Sequence, residues 1–146
     1  RKTTPGLRSF EKYAVSCGGG KNHRFGLYDA ILIKDNHIKA SGGIIHAVNK
    51  VKESHNNSIQ IEVETTTIAE VREAIEAKSD IIMLDNMSIE NIKKAVHIID
   101  GRARTEVSGS ISIDQLSTLS KVNIDYISIG ALTHSPKASD ISMNFL

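Results

Sequence analysis

Five short β-branched runs, each separated from the next by amphipathic stretches of helical period, constrain this 146-residue chain more than any other feature. The runs lie at 30–33, 59–63, 81–84, 105–107 and 126–129. Most are nearly continuous in apolar residues, the pattern of parallel strands covered on both faces. Leu7, Phe10, Ala14 and Cys17 share one helical stripe, and Ile44, Ile45, Val48 and Val51 share a second. Ile68, Val71, Ala74 and Ile75 form a third, and Ile89, Ile92, Val96 and Ile99 a fourth; Leu116 and Leu119 mark a fifth. Thr67 with Glu70 and Ser112 with Gln115 have capping-box spacing, and Ser88 suits an N-cap. Residues 54–58 read as a loop between helix and strand. A βα repeat predicts a parallel sheet with right-handed crossovers.

Lys34, Glu62, Asp85, Ser108 and Gly130 are the expected strand ends, recurring at steps of 28, 23, 23 and 22 residues. Such even spacing suits a (β/α) barrel better than a doubly wound sheet. A closed eight-stranded barrel usually needs at least ~200 residues. The expected fold class is therefore α/β: an open or incomplete barrel of parallel strands alternating with helices. It has five units and a possible further strand end at residues 1–3. The length leads to one domain with a proper core. With no Trp and only three Tyr and three Phe, that core must be aliphatic.

Several function classes recede on composition. No apolar run approaches the ~20 residues of a membrane span. One cysteine, Cys17, allows neither an internal disulfide nor a multi-cysteine zinc site and fits a reducing compartment. Cys17 itself is expected in the core. A net charge of +1 argues against strong generic nucleic-acid binding. The charge is uneven, however: residues 1–40 hold eight Lys/Arg against three Asp/Glu, and residues 41–146 hold ten against fourteen.

Barrel active sites lie at the C-terminal ends of strands. Those ends are polar here: Lys34-Asp35-Asn36-His37, then Glu62 and Glu64, then Asp85-Asn86, then Glu106 with Ser108-Gly109-Ser110, then Gly130 to Ser135. A solvated strand end explains any one of them; five at the same end point to a site. The small residues of the last two clusters suit a phosphate cradle, with backbone N–H groups and a helix N-terminus facing the anion. Tight turns explain the same glycines without a ligand. Arg1, Lys2, Arg8, His23, Arg24 and Lys34 form a basic side suited to carboxylates and phosphates. Gly18-Gly19-Gly20-Lys21 lacks P-loop spacing and reads as a loop after a helix. His37, His46, His55 and His97 show no metal spacing and read as structural.

Taken in order, several blocks carry a family resemblance. They are Arg1-Lys2-Thr3-Thr4-Pro5-Gly6-Leu7-Arg8, Glu11-Lys12-Tyr13-Ala14-Val15, Gly18-Gly19-Gly20 with His23-Arg24, and Gly26-Leu27-Tyr28-Asp29. They continue as Leu32-Ile33-Lys34-Asp35-Asn36-His37, Glu62-Val63-Glu64, Leu84-Asp85-Asn86-Met87, Glu106-Val107-Ser108-Gly109 and Gly130-Ala131-Leu132-Thr133-His134-Ser135. The chain closely resembles the quinolinate phosphoribosyltransferases (carboxylating nicotinate-nucleotide pyrophosphorylases) from Arg1 to about Asp140.

The resemblance implies the C-terminal open barrel of that family, without its N-terminal sandwich domain and the barrel's opening strand. It implies phosphoribosyl transfer from phosphoribosyl pyrophosphate to quinolinate with Mg²⁺. The products would be nicotinate mononucleotide, pyrophosphate and carbon dioxide, in NAD biosynthesis. It also implies a cytoplasmic homo-oligomer, a dimer or larger, with no nucleic-acid or membrane partner. Carried over, Arg1, Lys2, His23 and Arg24 would hold the quinolinate carboxylates, and Lys34 would reach substrate carboxylate and pyrophosphate. Glu62 and Asp85 would face the ribose hydroxyls and the metal. Ser108, Gly109 and Gly130 would hold the 5′-phosphate. The catalytic residues would be Lys34, Glu62 and Asp85. The chain starts without Met, as a piece of a longer protein would, and alone is expected to be inactive.

Ser110 stands where the family usually has a second glycine, and serine there would be strained if φ is positive. Three alternatives stay open: a family relative associated with molybdenum uptake, another sugar-phosphate barrel enzyme using Glu62 or Asp85 as base, and a non-catalytic anion-binding module. Intact Arg1-Lys2, His23-Arg24 and Lys34 speak against the first, and a basic cluster larger than one phosphate needs speaks against the second. Assaying nicotinate mononucleotide formation separates both from the main reading.

Overall fold

A computed structural model describes residues 2–55 and 59–145. Arg1 and residues 56–58 of the expected loop lie outside the described residues. The elements in chain order are α1 (Arg8–Cys17), β1 (Ile31–Ile33), α2 (Asp35–Ser41), α3 (Ile44–His55), β2 (Ile61–Thr65), α4 (Ile68–Glu76), β3 (Ile81–Asp85), α5 (Ile89–Ile99), β4 (Arg104–Ser108), α6 (Ile113–Leu119), β5 (Tyr126–Ile127) and α7 (Ala131–His134). They group into two compact units, 1–22 with 130–146 and 23–129, where length alone leads to one.

The larger unit is a five-stranded sheet in the order β1-β2-β3-β4-β5 with every pair parallel. Sequential order is barrel logic: each helix returns the chain to the next strand without reversal. The sheet is not closed, so the expected open barrel is what is seen. No strand covers residues 2–3, where a further strand end was expected.

Alternation along the strands divides the sheet into two unlike faces. Ile33, Ile61, Val63, Ile82, Leu84 and Val107 point one way, into a core with Ile44, Ala47, Val48, Val71, Ala74, Ile92, Ala95 and Ile99 of the helices. These packed residues are aliphatic, and all but Leu84 are β-branched or small, as expected of a core without Trp. The other face carries Leu32, Glu62, Glu64, Met83, Asp85, Glu106 and Ser108. The expectation that both faces are apolar therefore fails for this second face, which is lined largely by carboxylates.

The predicted caps form. Thr67 Oγ1 accepts the Glu70 backbone N–H at 3.2 Å, and Glu70 Oε2 accepts that of Thr67 at 3.1 Å. Ser112 and Gln115 make the same reciprocal pair at 3.4 and 2.9 Å, and Ser88 Oγ accepts the Asn91 N–H at 3.3 Å.

In the smaller unit α1 packs against α7. The glycine run after α1 is a hydrogen-bonded helix stop: Gly19 N–H donates to the Ser16 carbonyl and Gly20 N–H to the Val15 carbonyl, both at 3.0 Å, with Gly19 at φ +81°. The apolar stripe expected of α1 does not enter a core. Phe10 is 72% exposed, Cys17 is exposed, and Lys12 is the buried residue of that helix. Among the described residues no helix is long and apolar enough to cross a membrane.

Ile82 has no exposed surface and Ile113 is 86% exposed. Ile82→Ala is expected to cost about 2–5 kcal/mol in urea unfolding. Ile113→Ala should stay within about 0.5 kcal/mol.

Candidate active site

The parallel register ranks the polar side chains of the sheet in tiers. Glu62 pairs with Leu32 and Ile81, Glu64 with Met83 and through it Glu106, and Asp85 with Ser108. Going up the sheet, the tiers are Glu62, then Glu64 with Glu106, then Asp85 with Ser108 at the C-terminal rim.

This ordering corrects one strand end. Glu62 is the second residue of β2 and not its end, which is Thr65. The apolar run at 59–63 suggested an earlier strand, and the real one starts two residues later. Glu62 and Asp85 consequently stand four residues apart in register, about 13 Å along the strands. They do not converge on one cation, as the family resemblance implied they would.

Glu62 instead belongs to a buried cluster. Its Oε2 lies 3.0 Å from His23 Nε2, and Glu106 Oε1 lies 3.8 Å from the same nitrogen. Glu62 and Glu106 are each 4% exposed. The Ser128 hydroxyl donates to Glu106 Oε1. Glu62 Oε1 has no hydrogen-bond partner among the described residues. The hydrogen bond to Glu62 raises the His23 pKa against its burial; both carboxylate charges raise it further and Arg24 lowers it. Desolvation pushes the Glu106 carboxyl up, the Glu62 charge adds to this, and Ser128 and His23 oppose it.

His23 reaches the sheet from a loop tied by its own side chains. Asp29 accepts the backbone N–H groups of Phe25 at 2.6 Å and Gly26 at 2.8 Å, and Arg24 Nη1 donates to the Ala30 carbonyl at 3.0 Å. Arg24 thus braces the loop leading into β1.

Lys34 follows β1 directly, one tier above Glu62, and pairs with Glu64. Its backbone N–H donates to His37 Nδ1 at 3.0 Å, so His37 is structural, at the start of α2. That helix was not expected: its polar first turn reads as a strand end. Asp85 ends β3 half-buried and accepts from the Asn86 side chain at 2.7 Å.

Ser108 and Gly109 follow at the end of β4. Gly109 has φ +99°, and a Cβ there would stand 2.2 Å from Asn86 Oδ1 and 2.8 Å from the Asn86 backbone nitrogen. Close approach of two backbones requires this glycine, whatever binds nearby. Ser110 has φ +47°, the strained region anticipated for it.

Gly130 and Lys2 belong to the smaller unit. A Cβ on Gly130 would lie 3.2 Å from the His134 ring and 3.6 Å from Lys2 Cδ. The Arg1 assignment falls outside the described residues. His46, His55 and His97 lie exposed on helices away from these groups.

Glu64 and Glu106 stood among the polar strand ends of the sequence but were given no role there. The signal was available in the period of two, which puts Glu64 with Glu62, and Glu106 with Ser108, on one face.

Comparison with known proteins bears on what this face does. The family described as quinolinate phosphoribosyl transferase, C-terminal domain, matches residues 1–144. The chain belongs to the quinolinate phosphoribosyltransferase family. A probable nicotinate-nucleotide pyrophosphorylase (carboxylating) of Bacillus subtilis is 49% identical over 144 residues, covering 99% of this chain and 50% of the relative. A chloroplastic nicotinate-nucleotide pyrophosphorylase of Arabidopsis thaliana is 47% identical over 161 residues, covering 98% of this chain and 46% of its own length. Among solved structures, NadC from Streptococcus pyogenes superposes with a TM-score of 0.95 at 50% identity, covering 99% of this chain and 51% of its own. The nicotinate-nucleotide pyrophosphorylase of Francisella tularensis gives 0.89 at 51% identity, over 94% of this chain and 49% of that one. The chain therefore spans about half the length of the relatives it matches. Membership accords with the carboxylate-rich sheet face and the basic residues gathered on it.

The turn after β4 offers a direct check. Ser110→Gly removes a left-handed serine, worth about 1–2 kcal/mol of strain. Greater freedom in the unfolded chain offsets about 0.4–1 kcal/mol of that. A small gain in thermal stability is expected. Gly109→Ala should lose at least about 1 kcal/mol, since the Asn86 backbone cannot yield.

Proposed function

We propose that this chain supplies the barrel half of a quinolinate phosphoribosyltransferase, transferring phosphoribosyl from phosphoribosyl pyrophosphate to quinolinate. The transfer releases pyrophosphate, and decarboxylation then releases carbon dioxide and leaves nicotinate mononucleotide, in NAD biosynthesis. The observation that carries this reading is the tiered face of the sheet, where Lys34 and His23 stand among carboxylates inside a fold of this family. Both substrates are polyanions. Lys34 exchanges its Glu64 partner for a substrate carboxylate or the pyrophosphate, and His23 and Arg24 offer further cationic groups. Ser108 and Gly109 take the 5′-phosphate.

Breaking the bond at the anomeric carbon develops oxocarbenium charge, which a carboxylate near the ribose stabilises. Asp85, at the rim, fits that task; Glu62, buried against His23, does not. Mg²⁺ takes oxygen ligands and neutralises a leaving pyrophosphate. Asp85 is the carboxylate suited to hold it, with a half-exposed oxygen-donor group at the strand end. The assembly is a homo-oligomer, a dimer or larger, located in the cytoplasm, and the 146-residue chain by itself is inactive.

In full-length protein, Lys34→Ala is expected to lower kcat/KM for quinolinate by about 1.5–3 kcal/mol of transition-state stabilisation. Thermal stability should change far less, because Lys34 is not in the core. Wild-type protein that forms no nicotinate mononucleotide, or a variant with unchanged kcat/KM, would overturn the reading.

A further inference from the structure

His23 is held by two carboxylates that arrive from different strands. Glu62 rises from β2 and Glu106 from β4, with β3 lying between them. Their oxygens meet at one ring nitrogen, His23 Nε2, at 3.0 and 3.8 Å. Both carboxylates are buried, and the Ser128 hydroxyl donates to the same Glu106 oxygen, Oε1, that faces His23. Two buried carboxylates side by side repel each other and lose solvation, so a fold retains them only with a compensating cation. The ring of His23 is the group placed to take that role, its pKa raised by both carboxylates and lowered by its burial and by Arg24, its neighbour in the loop.

We propose that Glu62 and Glu106 are the positioning residues of the dicarboxylate subsite, gripping His23 from two strands so that a fixed, cationic ring meets the anionic substrate. The inference rests on the proposed reading of the site. It adds that neither glutamate touches the substrate: each acts through His23. Substrate recognition therefore depends on the sheet curling enough to bring β2 and β4 side chains together.

The geometry implies a sign for pH dependence. The His23 pKa is raised, so the ring's share of the clamp is fully present below the ordinary histidine value, about 6.5, down to the pH at which Glu106, itself pushed up, takes its proton. It persists above that value and is lost as pH rises through the raised one. Arg24 opposes the shift without cancelling it.

Glu106→Gln tests the proposal while keeping the side chain's shape and an oxygen for the Ser128 hydroxyl. In full-length protein, KM for quinolinate is expected to rise at least tenfold, with KM for phosphoribosyl pyrophosphate changed less than twofold. The alkaline limb of the quinolinate KM profile should shift to lower pH. His23 imidazole titration followed by NMR gives a readout that needs no turnover, and its midpoint should fall in the variant. An unmoved His23 midpoint overturns the proposal, whether or not the protein proves to be a quinolinate enzyme. So does a quinolinate KM left unchanged in active enzyme. If Glu106→Gln fails to fold, Ser128→Ala, which releases the Glu106 carboxylate without removing it, should shift the same midpoint; no shift there counts equally against the clamp.

Discussion

Burying carboxylates on a sheet face is costly, and the pairing of Glu62 and Glu106 with His23 is what makes it tolerable in this fold. An unpaired buried ion carries a penalty of several kcal/mol. The strands face an aliphatic core on one side, which takes the small polar Thr65 and Thr105, and the charged groups of the strands go to the other. Register then decides their neighbours. Lys34 falls beside Glu64, Asp85 beside Ser108, and Glu62 a tier below, where the loop supplies the His23 ring.

That constraint explains the division of labour among similar residues. Four carboxylates share one face, yet their surroundings separate their roles. Glu62 and Glu106 are buried against His23, Glu64 is paired with Lys34, and Asp85 remains at the open rim. The loop carrying His23 must be shaped accordingly, which is the work of Asp29 and Arg24 on its backbone. Chain geometry also governs the turn after β4, where Asn86 and Gly109 approach so closely that only glycine fits.

Much of this was legible in the sequence. Period and spacing identified the strands, their parallel order and the open barrel, and the capping boxes at Thr67 and Ser112 formed as their spacing requires. The Ser108-Gly109-Ser110 turn carried its own warning at Ser110, whose positive φ is seen. What was not legible has physical causes. The strand holding Glu62 was placed two residues early because Ile59 extends its apolar run, which turned a lower-tier residue into an apparent strand end. The first turn of α2 is too polar for hydrophobic periodicity to detect. Cys17 and Phe10 lie on a helical stripe, but periodicity says only that a face is apolar, not that this chain covers it. The His23 clamp needs β2 and β4 to meet across β3, and such convergence depends on sheet curl, which no local pattern encodes.

The most direct test is a crystal structure of the full-length protein with quinolinate bound. The account predicts the dicarboxylate over the polar face of the sheet, with Lys34 turned from Glu64 toward a substrate carboxylate and His23 still joined to Glu62 while its ring faces the substrate. Ordered quinolinate away from that face, with Lys34 still on Glu64, would contradict it.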